Sequence, residues 1–340
     1  MKKTKVGIAV AGSLIADVFY EIETYPKQGF LTNVRATSLN IGGTANMMID
    51  FAKMDEKIPI KACAIVGDDD KGRQMLSILS QYPSIDTDNI TVEGNSSVTM
   101  VMNAQDTKQR TFFYCPEASD SFDESYINWD NINTKIFHLE YLLLMKRIDS
   151  YDAVYGTHGA RILHDAQERG MLTSIDVVSE QGNRAKEVVS AALKYTDICC
   201  INESEAEAIT GVTLLENGEF NLDKVKEAIS VLKGKGVSKW VVIHAPRVGF
   251  GYDCEKQQFF KVPSLQLPDG YIKGSNGAGD AYCSGILYGA YYDWELGQAM
   301  KYARSCAACS LSENNGTDGM RSYIDILLCE KELMLLENGD

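Results

Sequence analysis

The chain has 340 residues, 45% of them apolar and spread along its whole length, which is material for one large core. Its formal net charge of -14 argues against general attraction to nucleic acid or to an anionic membrane, and no apolar run approaches a membrane span. The nine cysteines are odd in number and lack C-x-x-C pairs with histidine partners, so they read as reduced thiols of a cytoplasmic protein; Cys306 and Cys309 fall in an Ala-rich helical stretch as packing residues.

Lys2, Lys3 and Lys5 ahead of a short apolar run imitate a signal peptide, but Asp17 follows too soon, and residues 6–11 read as a buried first strand. Residues 44–54 have helical spacing. Strand 60–66 precedes helix 71–81, strand 136–141 precedes helix 153–169, and strand 172–177 precedes helix 184–194. Strand 198–201 leads to helices 203–210 and 222–233, and strand 240–244 follows. Helices 281–292, 294–312 and one from 323 close the chain. Such alternation predicts an α/β fold: a mainly parallel sheet covered by helices on both faces, with ligands at the carboxyl ends of its strands. Two stretches, about 17–40 and 97–114, hold β-type segments without helices (18–22, 34–39, 97–103, 110–114) and predict a small projecting sheet, a lid or a dimer contact, within a single domain spanning 1–340.

The strongest chemical signal is Gly274-Ser275-Asn276-Gly277-Ala278-Gly279-Asp280 before a helix. Glycines allow close backbone approach, and a helix start presents unpaired N–H groups to phosphate oxygens. A carboxylate there can take a proton from an attacking hydroxyl. On these residues alone, a simple helix cap is the favoured reading of Asp280. No GxxxxGK[ST] loop is present and no GxGxxG follows the first strand, which excludes a Walker-type NTPase and argues against a dinucleotide dehydrogenase. The four histidines show no metal-ligand spacing. Tyr126, Trp129 and Tyr141 read as packing residues, and Asp68-Asp69-Asp70 as a solvated turn with a helix cap.

Gly277-Ala278-Gly279-Asp280 resembles the C-terminal signature of the ribokinase-like (PfkB-type) carbohydrate kinases. Gly42-Gly43-Thr44-Ala45-Asn46, Asp17, Val66-Gly67-Asp68-Asp69 and Asn202-Glu203-Ser204-Glu205 resemble further motifs of that family in its order, over nearly the whole chain. The resemblance implies a ribokinase-like three-layer sandwich and ATP-dependent phosphorylation of a hydroxyl of a small sugar. It implies Asp280 as base, the amides of Gly277, Ala278 and Gly279 as anion hole, and Asp17, Gly43, Asn46 and Glu140 as substrate ligands, Glu140 reading as readily as a solvated loop acid. Asn202 and Glu205 would organise Mg²⁺ beside ATP, Glu205 through water, with His244 and Gly249 on the nucleotide side. A homodimer through the lid sheet is expected.

Three departures stand out. Only Thr44 and Ala45 separate Gly43 from Asn46, one residue fewer than usual. Gly274 replaces an acid that helps hold a monovalent cation in relatives; Lys273 either supplies that charge or points to solvent. His244-Ala245-Pro246 stands where Thr-x-Gly is usual, and Pro246 has no N–H to donate. Two alternatives are carried: a nucleoside kinase, with Phe19 and Tyr20 stacking on a base, and a non-catalytic sugar sensor that kept the fold. Lys108 and Arg110 would favour an anionic sugar, or serve solubility only.

Overall fold

A computed structural model describes residues 4–338 except 108 and 181, with side chains to 334; Lys108 therefore lies outside the described residues. Side-chain alternation in the first strand sets the layers. Ile8 and Val10 enter one apolar core and Ala9 and Ala11 the other, all fully buried, because successive strand residues point to opposite faces. A strand apolar on both faces must be covered on both.

The elements are β1 (Ile8–Ile22), β2 (Val34–Gly43), α1 (Thr44–Met54), β3 (Ile60–Val66), α2 (Asp70–Leu79), β4 (Ile85–Val92), β5 (Ser97–Ala104), β6 (Arg110–Cys115), β7 (Ile136–Leu142), α3 (His158–Glu168), β8 (Leu172–Val177), α4 (Ala185–Leu193), β9 (Ile198–Asn202), α5 (Glu203–Thr210), α6 (Leu222–Gly234), β10 (Trp240–Ala245), β11 (Val248–Asp253), β12 (Gln258–Pro263), α7 (Ala278–Tyr291), α8 (Leu296–Leu311) and α9 (Tyr323–Asn338). The main sheet runs β12-β11-β10-β9-β8-β7-β1-β3-β4, parallel from β10 to β4, with β11 and β12 antiparallel at one edge. Helices α1, α2, α7, α8 and α9 pack on one face and α3 to α6 on the other. This is the α/β three-layer arrangement expected. Among the described residues, no helix is long and apolar enough to cross a membrane.

The two expected segments 6–11 and 18–22 are one strand of 15 residues. Its first part pairs with β3 and β7; from Leu14 onward it pairs with β2 and β5, and β6 joins β5, giving a side sheet ordered β2-β1-β5-β6. Gly12-Ser13 looks like a break in the sequence, yet Gly12 carries the strand through with φ 139°. A Cβ there would lie 1.6 Å from the Glu140 carbonyl oxygen, so only glycine lets β1 pass β7 at this point.

The side sheet is two-faced. Its cross-strand rows Asn40–Asp17–Thr99–Tyr114 and Ala36–Glu21–Asn103–Arg110 are mostly polar. Between these two lies the mostly apolar row Ser38–Phe19–Val101–Phe112, and on the other face the apolar row Leu39–Val18–Met100–Phe113 neighbours the mixed row Thr37–Tyr20–Met102–Thr111.

Other departures from the sequence reading have local causes. Strand β4 is an edge strand whose Asp86, Thr87, Asp88 and Asn89 hide its pattern. Strand β11 is broken up by Gly249 and Gly251, small because Tyr282 and Met300 press on them. Helix α3 begins at His158 rather than 153, since residues 151–157 form a turn closed by Asp152 accepting from Val154 and Tyr155, and Thr157 then caps the helix through Ala160 N–H. Asp69 caps α2 in the expected way, accepting from Gly72 N–H. Gly12→Ala is expected to cost about 3 kcal/mol or more in stability, because both the dihedral and the carbonyl contact are violated. Urea denaturation would measure it, and a wild-type midpoint would contradict this account of the crossing.

Candidate active site

The carboxyl ends of β7, β8, β9 and β10 deliver Glu140, Asp176, Asn202 and His244 to one end of the sheet. Helices α1 and α7 bring their first turns there from above. Gly277 caps α7 in the left-handed region, φ 76°, and a Cβ on it would sit 2.4 Å from Gly316 Cα. The helix begins three residues earlier than the sequence suggested, so Asp280 lies inside the first turn and its side chain caps nothing. First-turn amides lack partners within their own helix; here they belong to Ala278, Gly279 and Asp280, at the positive end of α7.

Asp280 is buried, and both its oxygens are held. Asn46 Nδ2 donates to Oδ2 at 2.8 Å, and the Tyr141 hydroxyl donates to Oδ1 at 2.7 Å. The sequence reading placed Asn46 at the substrate and Tyr141 in packing; the structure puts both on Asp280. Nothing local marks Tyr141, since its partner is 139 residues away. Glu140, whose position the sequence left open, is a strand residue with no exposure. His138 Nε2 meets its Oε2 at 3.0 Å and its Oε1 has no hydrogen-bond partner among the described residues. His138 Nδ1 meets Ser174 Oγ at 3.1 Å, and burial depresses the histidine to about 3, so it is neutral.

Glu140, Asp176 and Asp280 can bring carboxylate oxygens within 4.8 Å of one another. Burial pushes Glu140 and Asp176 well above the usual carboxylate range. It also raises Asp280, but the bonds from Tyr141 and Asn46 pull the other way. Charges this close cannot all be ionised, and hydrogen bonding to the charged form selects which one is.

Asn202 and Glu205 form a capping box at the start of α5: Glu205 N–H donates to Asn202 Oδ1 at 2.9 Å and Asn202 N–H to Glu205 Oε2 at 2.8 Å. Ser179 Oγ donates to Glu205 Oε1 at 2.7 Å, and Asn202 Nδ2 reaches the same oxygen at 2.7 Å. Burial lifts Glu205 to about 7 against the bond from Asn202 N–H. Next to this box is a cavity of about 450 Å³ walled by Asn202, His244, Leu265, Gly279, Tyr282 and Ala308. His244 stacks on Tyr282 at 5.2 Å and is lowered to about 4 by burial, hence neutral. Pro246 and Arg247 are the turn between β10 and β11, and Pro246 lines the cavity. Gly249 sits behind Tyr282 instead: a Cβ there would lie 2.3 Å from the tyrosine hydroxyl oxygen.

On the other side of the 273–279 loop the polar face of the side sheet borders a cleft of about 620 Å³, lined by Phe19, Glu21, Asn40, Asn103, Arg110 and Lys273 among others. Asp17 lies against Gly42, whose Cβ would fall 2.3 Å from its Oδ2. Gly43 starts α1 at φ 66°, where a Cβ would strike the Ser13 carbonyl at 2.0 Å. Arg110 donates to Asn314 O at 3.3 Å and lies over Phe19, 6.0 Å from its ring centre. Lys273 pairs with Glu313 at 3.0 Å, which gives the ammonium group a carboxylate neighbour beside Gly274.

The model of the pfkB family carbohydrate kinases matches residues 7–322. The chain belongs to this family. Among solved structures, the pfkB-family chain is similar to a ribokinase of Arabidopsis thaliana complexed with ribose and ATP, at 17% identity and TM-score 0.78, covering 96% of this chain and 99% of that one. A ribokinase of Thermotoga maritima gives 16%, 0.78, 96% and 99%, and a nucleoside kinase of Methanocaldococcus jannaschii 15%, 0.73, 97% and 99%. At these identities the likeness establishes the fold. A search of curated proteins gives no match.

Asp17 offers a test of the site's electrostatics. Burial pushes it up to about 6 from a usual 3.8, with the bond to Thr99 opposing. The folded protein therefore holds a proton that the unfolded chain has released between those values, and stability present below the lower value is lost as pH rises through the upper. Asp17→Asn should stabilise the protein by about 3 kcal/mol near pH 8 and by less than about 1 kcal/mol near pH 4. Urea titrations across that range read the difference; a gain that does not change with pH would contradict it.

Proposed function

We propose that this protein transfers the γ-phosphoryl group of ATP to a hydroxyl of a small sugar or sugar derivative, with Asp280 as general base. The observation that carries this reading is the place of α7. Its first turn walls the 450 Å³ cavity through Ala278 and Gly279, while Asp280 is held by Asn46 and Tyr141. ATP would occupy that cavity, its terminal phosphate at the amides of Gly277, Ala278 and Gly279. The acceptor hydroxyl gives its proton to Asp280 as its oxygen attacks phosphorus, ADP leaves, and the amides take up the charge that develops.

Both Glu205 oxygens already accept protein hydrogen bonds, which suits contact with Mg²⁺ through its waters. Bound there, Mg²⁺ would neutralise charge on the phosphates. Asp17, Gly43 and the polar row of the side sheet would receive the acceptor, the sheet acting as a lid that limits water at the reacting phosphate. Glu21, Ser38, Asn40, Asn103, Asn314 and Asn315 line the cleft with donors and acceptors matched to a polyol. Phe19 in the same cleft favours the second reading, a nucleoside stacked on its ring. The nine free cysteines support a reducing cytoplasm.

ATP turnover with a panel of sugars and nucleosides decides the acceptor; no turnover with either class would sink both readings and favour a sensor. With the acceptor found, Asp280→Asn is expected to lower kcat by about a hundred- to ten-thousand-fold while nucleotide binding persists. Near-normal turnover would remove Asp280 as base.

Phe113, 43% exposed at the sheet edge beside the half-buried Met100, supports a homodimer through the outer end of the side sheet; Val18 and Leu39 of the same row are packed within the protomer. Light scattering is expected to give twice 37.6 kDa for the wild type. Phe113→Asp should give the monomer mass. A monomeric wild type at tens of micromolar would refute this.

A further inference from the structure

One of the two side chains that hold Asp280, Tyr141, is a phenol. It is the penultimate residue of β7, next to Glu140, is largely enclosed, and spends its hydroxyl on Asp280 Oδ1. Around Asp280 stand Asp17 from β1, Asn46 and Asp50 from α1, His138 and Glu140 from β7, Asp176 from β8 and Glu205 from α5. Six carboxyl groups, Asp280 included, thus share one buried region, and the two side chains bonded to Asp280 are neutral: a phenol and an amide.

The carboxyls differ in what they accept. Asp280 receives a side-chain donor on each oxygen. Among the described residues, Glu140 has one histidine contact and one bare oxygen, and Asp50, with Ser284 beside it, accepts no well-formed hydrogen bond on either oxygen. Asp176 accepts from Val177 N–H at 2.7 Å. Glu205 is spoken for by its cap. An ionised carboxyl gains most where donors converge, and a protonated one tolerates a bare environment. The phenol is a lasting donor, because burial raises it well above its ordinary range.

We propose that Tyr141 is a positioning residue for the base: its hydroxyl, with Asn46 opposite, keeps the negative charge of this acid cluster on Asp280 and fixes the carboxylate so that a remaining lone pair faces the acceptor hydroxyl. The proposal rests on Asp280 being the base. A phenylalanine at 141 would preserve the ring packing and delete only the donor, whereupon the charge spreads to Glu140 or Asp176 and the carboxylate can turn.

The experiment is a titration that needs no acceptor. In protein labelled with ¹³C at aspartate side-chain carboxyls, the signal missing from Asp280→Asn is that of Asp280. Its midpoint in Tyr141→Phe is expected about one pH unit above wild type, since two or three donors together move a carboxylate by about two units. An unmoved midpoint in a variant that melts as wild type does would overturn the proposal. Should Tyr141→Phe fail to fold, 3-fluorotyrosine at position 141 gives a second arm: its more acidic phenol is a stronger donor, so the midpoint should fall. No fall would overturn the proposal equally. Because the titration reads the network without turnover, its failure is distinguishable from failure of the base assignment, which Asp280→Asn kinetics test separately; normal turnover in that variant would overturn both.

Discussion

The hydrogen bond between Asn46 and Asp280 is the constraint on which the site depends. It joins the first turns of α1 and α7, which come from positions 234 residues apart in the chain. Asn46 also faces Gly316, where a Cβ would come within 2.7 Å of its Oδ1, and Gly316 presses in turn on Gly277. Asparagine is therefore wedged between Asp280 and the loop behind it. Lys53, two turns along α1, ties the same loop down by donating to the Thr317 carbonyl at 2.7 Å. The backbone geometry at the start of α7 is thus enforced from outside α7, by residues that pack on Gly277 and on the loop behind it.

A second dependency runs through burial. The same packing that excludes water from Asp280 surrounds it with other acids, an arrangement unfavourable unless most of them are neutral. Neutral histidines at 138 and 244 fit that setting, because a protonated imidazole would be as costly to bury as an ionised carboxyl. The low-dielectric interior strengthens the few hydrogen bonds that remain, so a single phenol or amide has leverage it would lack at the surface.

Much of this was legible in the sequence, for identifiable reasons. Helix α1, strand β3, strand β8 and helix α5 fall where their periodicity put them, since each carries its own start and stop signals. The glycine-rich run before α7 was legible because backbone demands leave a mark no other pressure imitates. Strand β4 and the β11–β12 pair were not, being edge elements whose polar or glycine content erases alternation. At the site, Asp280, Asn202 and Glu205 were named, the last two as an N-x-x-E motif, while the capping box that joins them emerged only in the fold. The partnership of Tyr141 with Asp280 was invisible: a tyrosine at the end of an apolar strand carries no local sign of what its hydroxyl will meet after the chain has folded back. The side sheet was legible as β-type segments, whereas its fusion with the main sheet was hidden by a glycine that resembles a turn.

That fusion limits how the molecule can be taken apart. One continuous strand serves as an interior strand of the main sheet over residues 8–13 and of the side sheet over residues 14–22. The side sheet is therefore not a module that recombination could excise or graft; removing it cuts a strand whose other half is at the centre of the core. New chain ends or inserted segments are instead accommodated in the exposed connection around residues 27–31, which touches neither sheet's interior. Variation in this scaffold would then accumulate at the rim of the side sheet and leave its root at Gly12 untouched.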